Sequence, residues 1–252
     1  MAEFLQQTIN GLAWGSIYAL IALGYTMVYG ILRLINFAHG DVYMIGAMTG
    51  YYVGNFIVRF ALPGAAAFPI VLACSMAVCG ILGFLIERLA YKPLRGAPRI
   101  NALITAIGVS LFLEFGAQLW LGADPKFFPT LIDEQPLFAV AGVVVNKIQT
   151  VIFLVSLALM VSLRFVVMKT KLGKAMRAVS FSHTASQLVG IPLETIISFT
   201  FVLGSMLAGA GGVLVGLSNP KVEPLMGIMP GLKAFVAAVL GGIGSIPGAL
   251  VG

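Results

Sequence analysis

The sequence predicts an all-α fold, a polytopic bundle of transmembrane helices. Three observations carry that expectation. Of 252 residues, 60% are hydrophobic and 10% charged, whereas a soluble domain has about 25% charged residues. The mean hydropathy is +1.03. The apolar residues gather into about seven runs, most near the ~20 residues that cross the hydrocarbon core. A soluble globular enzyme and a disordered chain are both excluded, because only lipid can solvate so much apolar surface.

The first run, residues 12–32, carries no charge and ends at Arg33. A polar hexad follows, from Asn36 through Phe37, Ala38, His39 and Gly40 to Asp41. The second run is 42–58, closed by Arg59, and the third is 70–86. A basic stretch with Arg88, Lys92, Arg95 and Arg99 separates it from the fourth run, 102–121, which contains Glu114. Residues 122–147 form a long, weakly apolar connection with Pro125, Pro129 and Pro136. The fifth run is 148–167 and is followed by a second basic stretch. The sixth is 196–216. A connection holding Pro220, Pro224 and Pro230 leads to the seventh, from 231 to 252.

The net charge is +6. In a soluble domain such an excess points to nucleic acid. Here nine of the fifteen basic residues sit in the two acid-free stretches, the second made of Arg164, Lys169, Lys171, Lys174 and Arg177. That is the positive-inside pattern of a membrane protein, so no nucleic-acid partner is expected and the bilayer is. Both stretches are placed in the cytoplasm, and the 122–147 and 218–230 connections outside. Strict alternation then puts the N-terminus outside. A re-entrant segment over 34–58 puts it inside, and the residues leave both open. The first residues lack the basic n-region of a removable signal peptide.

Small residues recur at four-residue steps, on one helix face. Gly46, Gly50 and Gly54 form one ladder; Gly204, Ala208, Gly212 and Gly216 form another. Such faces pack helices closely in lipid; the other reading is that they line a pathway. Cys74 and Cys79 lie in one apolar run and read as embedded small residues. No phosphate-cradling loop, metal-ligand cluster or nucleophile elbow is present, so no cofactor and no metal are expected and any driving energy is external.

Asn36, His39, Gly40 and Asp41 are the candidate substrate-pathway residues. Polar groups at membrane depth mark pathways or broken helices. The plain reading is a cytoplasmic turn with Gly40 capping the first helix. Residues 177–190 read as a short helix with Ala185, Leu188 and Val189 on one face, Gly190 after its last turn and Pro192 blocking continuation. Arg177, Ala185, Ser186, Leu188 and Gly190 are the candidate contacts to a partner; a basic loop lying on anionic lipid is the alternative.

These residues resemble the LivH-type permease subunit of branched-chain amino acid ABC importers, over nearly the whole chain. The resemblance rests on Gly11-Leu-Ala-Trp-Gly-Ser-Ile-Tyr-Ala-Leu20 and Tyr29-Gly-Ile-Leu-Arg-Leu-Ile-Asn-Phe-Ala-His-Gly-Asp41. It continues in Glu87-Arg-Leu-Ala-Tyr-Lys-Pro-Leu-Arg95 and Gly122-Ala-Asp-Pro125, and closes with Phe235-Val-Ala-Ala-Val-Leu-Gly-Gly-Ile-Gly-Ser-Ile-Pro-Gly248. It implies one permease domain over 1–252 in a bacterial inner membrane. The partners implied are two ATP-binding subunits, a second homologous permease and an extracytoplasmic substrate-binding protein. It also implies that residues 177–190 are the coupling stretch, with Thr184-Ala185-Ser186 where many ABC permeases carry Glu-Ala-Ala. Glu114 departs from the pattern, where a neutral polar residue is expected. Family members usually continue beyond the Gly248 block, so a truncated gene product or a fragment is expected here.

The expected function is therefore transport rather than catalysis: ATP-driven uptake of Leu, Ile or Val, with ATP hydrolysed on partner subunits. Two rivals remain open, an ABC permease for urea, amides or other amino acids, and a proton-coupled carrier using Glu114, Asp41 or His39. The charge pattern yields a direct test of orientation. In a background lacking Cys74 and Cys79, Arg95→Cys and Lys171→Cys label only from the cytoplasm and Asp133→Cys only from outside. Labelling of Lys171→Cys from outside overturns the orientation.

Overall fold

The computed structural model describes residues 1–60, 63–140 and 143–252. Residues 141 and 142, inside the predicted 122–147 connection, lie outside the described residues, as does the side chain of Arg99. Ten helices are described: α1 Ala2–Leu32, α2 His39–Val58, α3 Gly64–Ile86, α4 Arg99–Leu121, α5 Lys147–Lys169, α6 Lys171–Phe181, α7 His183–Leu188, α8 Leu193–Ser218, α9 Ile228–Leu240 and α10 Ile246–Val251. A π-helical turn, Glu87–Tyr91, and a 3-10 turn, Lys92–Leu94, extend α3. The 122–147 and 218–230 connections carry two antiparallel ribbons. β1 (Lys126–Phe127) pairs with β4 (Lys221–Val222), and β2 (Pro136–Val140) with β3 (Val143–Asn146).

Among the described residues, five helices are long and apolar enough to cross a membrane: α1, the extended α3, α4, α5 and α8. The 20-residue α2 is not among them and carries His39 and Asp41 in its first turn. The seventh predicted run is different. Its helix α9 has 13 residues, about 20 Å at 1.5 Å per residue, too short for a ~30 Å core. Gly242 and Gly244 both adopt φ 95, a left-handed conformation that glycine takes without a Cβ clash. The chain turns there, and Ser245 caps α10 by accepting a hydrogen bond from the Gly248 N–H at 3.3 Å. Hydropathy alone reads α9, the turn and α10 as one apolar run.

Contacts at the helix ends fix the direction of travel. Gln6 exchanges two hydrogen bonds with the backbone of Val144, at 3.0 and 2.8 Å. The N-terminus therefore sits with the 122–147 connection. At the other end of α1, the His183 imidazole lies 2.9 Å from the Ile31 carbonyl. Helix α2 runs back, because Gly54 packs on Pro129 and Gly64 on Leu131. Residues 34–58 thus run from one end of the bundle to the other, and the N-terminus lies at the end opposite the two basic stretches. The end of α1 also differs from the plain-turn reading. Arg33, not Gly40, closes it, in a left-handed conformation (φ 53, ψ 33) with its N–H on the Tyr29 carbonyl at 2.8 Å. Gly40 lies in the first turn of α2 instead.

Helix α8 is the centre of the bundle, surrounded by α1, α2 and α3 and buried almost all round from Gly204 to Leu217. Both small-residue ladders are packing surfaces. A Cβ on Gly46 stands 2.6 Å from the Gly209 Cα, well inside contact distance. Gly204 faces Gly24 of α1, and Gly216 is covered by the Phe128 ring. The Ser75 hydroxyl of α3 donates to the Gly46 carbonyl at 2.7 Å and lies 3.2 Å from that of Gly209. This geometry sets a prediction. Gly46→Val forces α2 off α8 and lowers stability by about 3 kcal/mol, the upper range for overpacking. Gly108→Ala, where nothing lies within 4 Å, leaves it unchanged or raises it, through better helix propensity. Thermal unfolding in detergent measures both.

Candidate functional site

The polar hexad leads from the basic end of the bundle, where Asn36 meets Tyr91, to a helix start part-way along it. His39 packs on Gly24 of α1, where its ring occupies the space that a Cβ on Gly24 would need, and Gly24 in turn faces Gly204 of α8. Gly204 is about 16 Å along α8 from its first residue, Leu193, at 1.5 Å per residue. The chain leaves α1 at Arg33, climbs back through residues 34–38 and starts α2 near the middle of the membrane. Helix α9 starts at the same depth, because a Cβ on Gly231 would stand 2.9 Å from the Gly40 Cα, and Gly227 abuts the Gly40 carbonyl. From there α2 runs outward. Helix α9 runs inward, so that Gly244, beyond its end, reaches Gly30 near the end of α1.

Between these two helix starts and α4 lies a cleft of about 260 Å³. Gly40 and Asp41 line it, with Tyr25, Ser110, Glu114 and Phe235 among the other walls. Asp41 is 2% exposed and accepts a hydrogen bond from the Ser110 hydroxyl at 2.5 Å. Glu114 lines the same cleft and is 9% exposed. The other two candidates face elsewhere. Asn36 is buried and accepts from the Tyr91 hydroxyl at 3.1 Å. The His39 ring packs edge-on against Tyr25, with centroids 4.7 Å apart. Ser110 was not singled out in the sequence. Its spacing from Glu114 is the available signal, since polar residues at i and i+4 share one face of an apolar helix. Gly227 and Gly231, at the same spacing, carry a similar signal on α9.

The second candidate site is at the end of the bundle that carries the basic stretches. Thr170 caps α6 by accepting from the Gly173 N–H, and Ser182 caps α7 by accepting from the Ala185 N–H. Each cap satisfies a helix N–H that has no partner within its own helix. Gly190 has φ 81, and the Ile191 N–H returns to the Ser186 carbonyl at 2.9 Å. Pro192 then becomes the N-cap of α8. Arg177 and Ala185 are exposed, whereas Ser186 is buried. Leu188 is 83% exposed and Val189 76%, and Phe181 is also open. Apolar side chains so placed at the aqueous end of a bundle form a small unpartnered surface.

Behind that surface lies a cavity of about 740 Å³, with Arg33, Tyr91, Arg95, His183 and Glu194 on its walls. Its rim is tied by charge. Glu87 is fully buried, pairs with Arg95, and accepts from the Ser198 hydroxyl at 2.5 Å. Lys92 pairs with Glu194 at 2.6 Å in the open.

Comparison with known proteins adds family relationships. The family described as branched-chain amino acid transport system permease component matches residues 7–252. The high-affinity branched-chain amino acid transport system permease protein BraD of Pseudomonas aeruginosa is 44% identical over 257 residues, covering 99% of this chain and 83% of its own length. LivH of Escherichia coli K12, with the same description, is 40% identical over 256 residues, 99% of this chain and 82% of its own. The ribose import permease protein RbsC of Haemophilus influenzae is more distant, at 26% over 251 residues.

The buried ion pair predicts an asymmetric response. Arg95→Met leaves the Glu87 charge buried without its partner and costs about 3 kcal/mol or more. The double variant Glu87→Gln with Arg95→Met recovers most of that loss. Lys92→Met, in the exposed pair, has little effect. Denaturation of the purified protein ranks the three.

Proposed function

We propose, from the premise that the chain belongs to the branched-chain amino acid transport permease family, that it is a membrane-spanning subunit of an ATP-driven importer. Its cargo is leucine, isoleucine or valine. The observation that carries the reading is the cleft at mid-membrane. Two helices begin there, and non-helical backbone at this depth is tolerated only where protein buries it or a cavity needs it. The walls Ile107, Leu111, Leu232 and Phe235 suit an apolar side chain. Tyr25, Asp41, Ser110 and Glu114 offer polar groups to a zwitterionic head.

Residues 1–252 act as one permease domain in this reading. The chain is a multi-pass membrane protein, in the inner membrane of a bacterial cell. It works beside a second homologous permease, with two ATP-binding subunits on the cytoplasmic side and a substrate-binding protein on the outer side. The chain carries no phosphate-cradling loop, so hydrolysis belongs to the partners. Alternating access follows. The ATP-binding subunits close on ATP, and residues 177–190 convey that motion to α8 through Gly190 and Pro192. The direct test is uptake of labelled leucine by the complete transporter in vesicles. ATP-dependent uptake that vanishes when this chain is omitted supports the reading, and uptake without ATP contradicts it.

The exposed surface of α7 yields a separate prediction. Leu188→Asp places an unpaired charge in the contact with the ATP-binding subunits. Gly190→Val strains a residue held at φ 81, where a β-branched side chain is an outlier. Both variants reduce recovery of the ATP-binding subunits in detergent pull-downs, at unchanged membrane levels of the permease. Full recovery with both variants places the docking surface elsewhere.

A further inference from the structure

Lys233 is the one charged residue of α9, and it lies on the side away from the rest of the chain. The helix reads Ile-Met-Pro-Gly-Leu-Lys-Ala-Phe-Val-Ala-Ala-Val-Leu from Ile228 to Leu240. Gly231, Ala234 and Ala238 are buried, on the side where α9 adjoins α1 and α2. Lys233 is exposed, as are Met229, Val236 and Leu240, and these four follow the three- and four-residue steps that share a helix face. Among the described residues the ion pairs engage Lys92, Arg95 and Lys221, and Lys233 has none.

That position is deep. Gly231, two residues earlier, packs on Gly40 of α2 and on the Tyr25 hydroxyl of α1. Leu240 lies seven residues further along α9, about 10 Å at 1.5 Å per residue, and Gly244 beyond it reaches Gly30, still short of Arg33 at the end of α1. Helical side chains lean towards the N-terminus of their own helix. The lysine therefore leans away from the nearer end of the bundle, which opposes snorkelling to water there. A cation in hydrocarbon is expensive, and intramembrane lysines face protein or water. The backbone makes the same demand. A turn over 224–227 brings the chain to this depth, with Leu225 and Ile228 exposed beside it. Irregular backbone at membrane depth is tolerated only where protein buries it or it lines a water-filled cavity. Lipid does not suit this face.

What covers it is itself embedded in the membrane, because a subunit docked at either end of the bundle does not reach this far in. A second copy of this chain is a poor fit. A two-fold contact sets the same face of both subunits together, and α9 carries no Asp or Glu to receive a lysine. The complement is a membrane helix of different sequence, apolar, with a carboxylate level with Lys233. We infer that Met229, Lys233, Val236 and Leu240 form the surface on which the second permease subunit packs within the membrane, and that this subunit sets a carboxylate against Lys233. This rests on the transport reading above and locates the contact between its two permeases. Ile228 and Leu232 are exposed beside this surface and also line the cleft, so the same subunit closes the open side of the cleft.

The test uses the complete transporter in vesicles. A benzophenone amino acid in place of Val236, on irradiation, forms an adduct with the second permease subunit. Adducts with lipid alone, with another copy of this chain or with any other subunit overturn the inference. Lys233→Met lowers recovery of the second permease in detergent pull-downs about tenfold or more, the scale of a lost charge-assisted hydrogen bond, at unchanged membrane levels of this chain. Lys233→Arg, which keeps the charge, restores most of that recovery. A lysine facing lipid predicts otherwise, because its removal relieves a charge in hydrocarbon and leaves assembly intact. Recovery within about twofold of wild type for Lys233→Met overturns the inference, as does Lys233→Arg no better than Lys233→Met. The two readings fail separately. A wild-type transporter that assembles and takes up no leucine sinks the transport reading and leaves this contact standing. Leucine uptake by a transporter whose Val236 probe meets only lipid sinks the contact alone.

Discussion

Backbone meeting backbone along α8 is the contact on which the rest of this bundle depends. Lipid supplies no hydrophobic force between helices, so association relies on close packing and on hydrogen bonds between helices. Gly204, Gly209, Gly212 and Gly216 leave α8 without side chains where α1, α2, α3 and the Phe128 ring press on it. Ser75 then spans the seam, bonded to carbonyls on α2 and α8. A side chain at Gly209 or Gly212 meets backbone of α3 or α2 at under 3 Å and pushes the helices apart.

That packing makes a broken helix affordable inside the membrane. A helix start exposes N–H groups, which cost several kcal/mol each if left bare in hydrocarbon. Here the turn before α2 takes them up. The His39 N–H reaches the Asn36 carbonyl, and the Asp41 and Val42 N–H groups reach that of Ala38. Ala38, His39 and Asp41 are all buried against neighbouring helices. The glycine contacts hold this start beside the start of α9, and the cleft is the space left between them and α4. Structure and function are thus linked through one feature: close packing allows irregular backbone at depth, and irregular backbone at depth places polar groups on a route across the bilayer.

The first six apolar runs, the basic stretches and the short helix near residues 183–188 were legible in the sequence because each has a local cause. An apolar run needs only its own composition, and Gly190 with Pro192 ends a helix wherever it stands. The depth of Asn36 to Asp41 was not legible, since a polar hexad between apolar runs reads equally as a cytoplasmic turn. Only the contact of His39 with Gly24, which itself faces Gly204, decides it. The bend after Leu240 was hidden because Gly242 and Gly244 are apolar by composition while their conformation breaks the helix. Glu87 and Arg95 were counted as a motif and a basic stretch, and their pairing depends on the π-helical turn at Glu87–Tyr91. Ser110 escaped notice as one hydroxyl in a long span, and matters because α4 brings it to Asp41.

The central claim is that the start of α2 borders a water-accessible route through the membrane. The most direct measurement is the reactivity of Ser110→Cys toward a small, charged, membrane-impermeant thiol reagent, in a transporter lacking Cys74 and Cys79. Gly108→Cys, two residues away and facing outward from the bundle, is the control. The account predicts that Ser110→Cys reacts, and that its rate changes when ATP binds to the complete transporter, while Gly108→Cys stays unreactive. If Ser110→Cys is as unreactive as the control from both sides and in every nucleotide state, the cleft is a sealed packing defect and the route lies elsewhere.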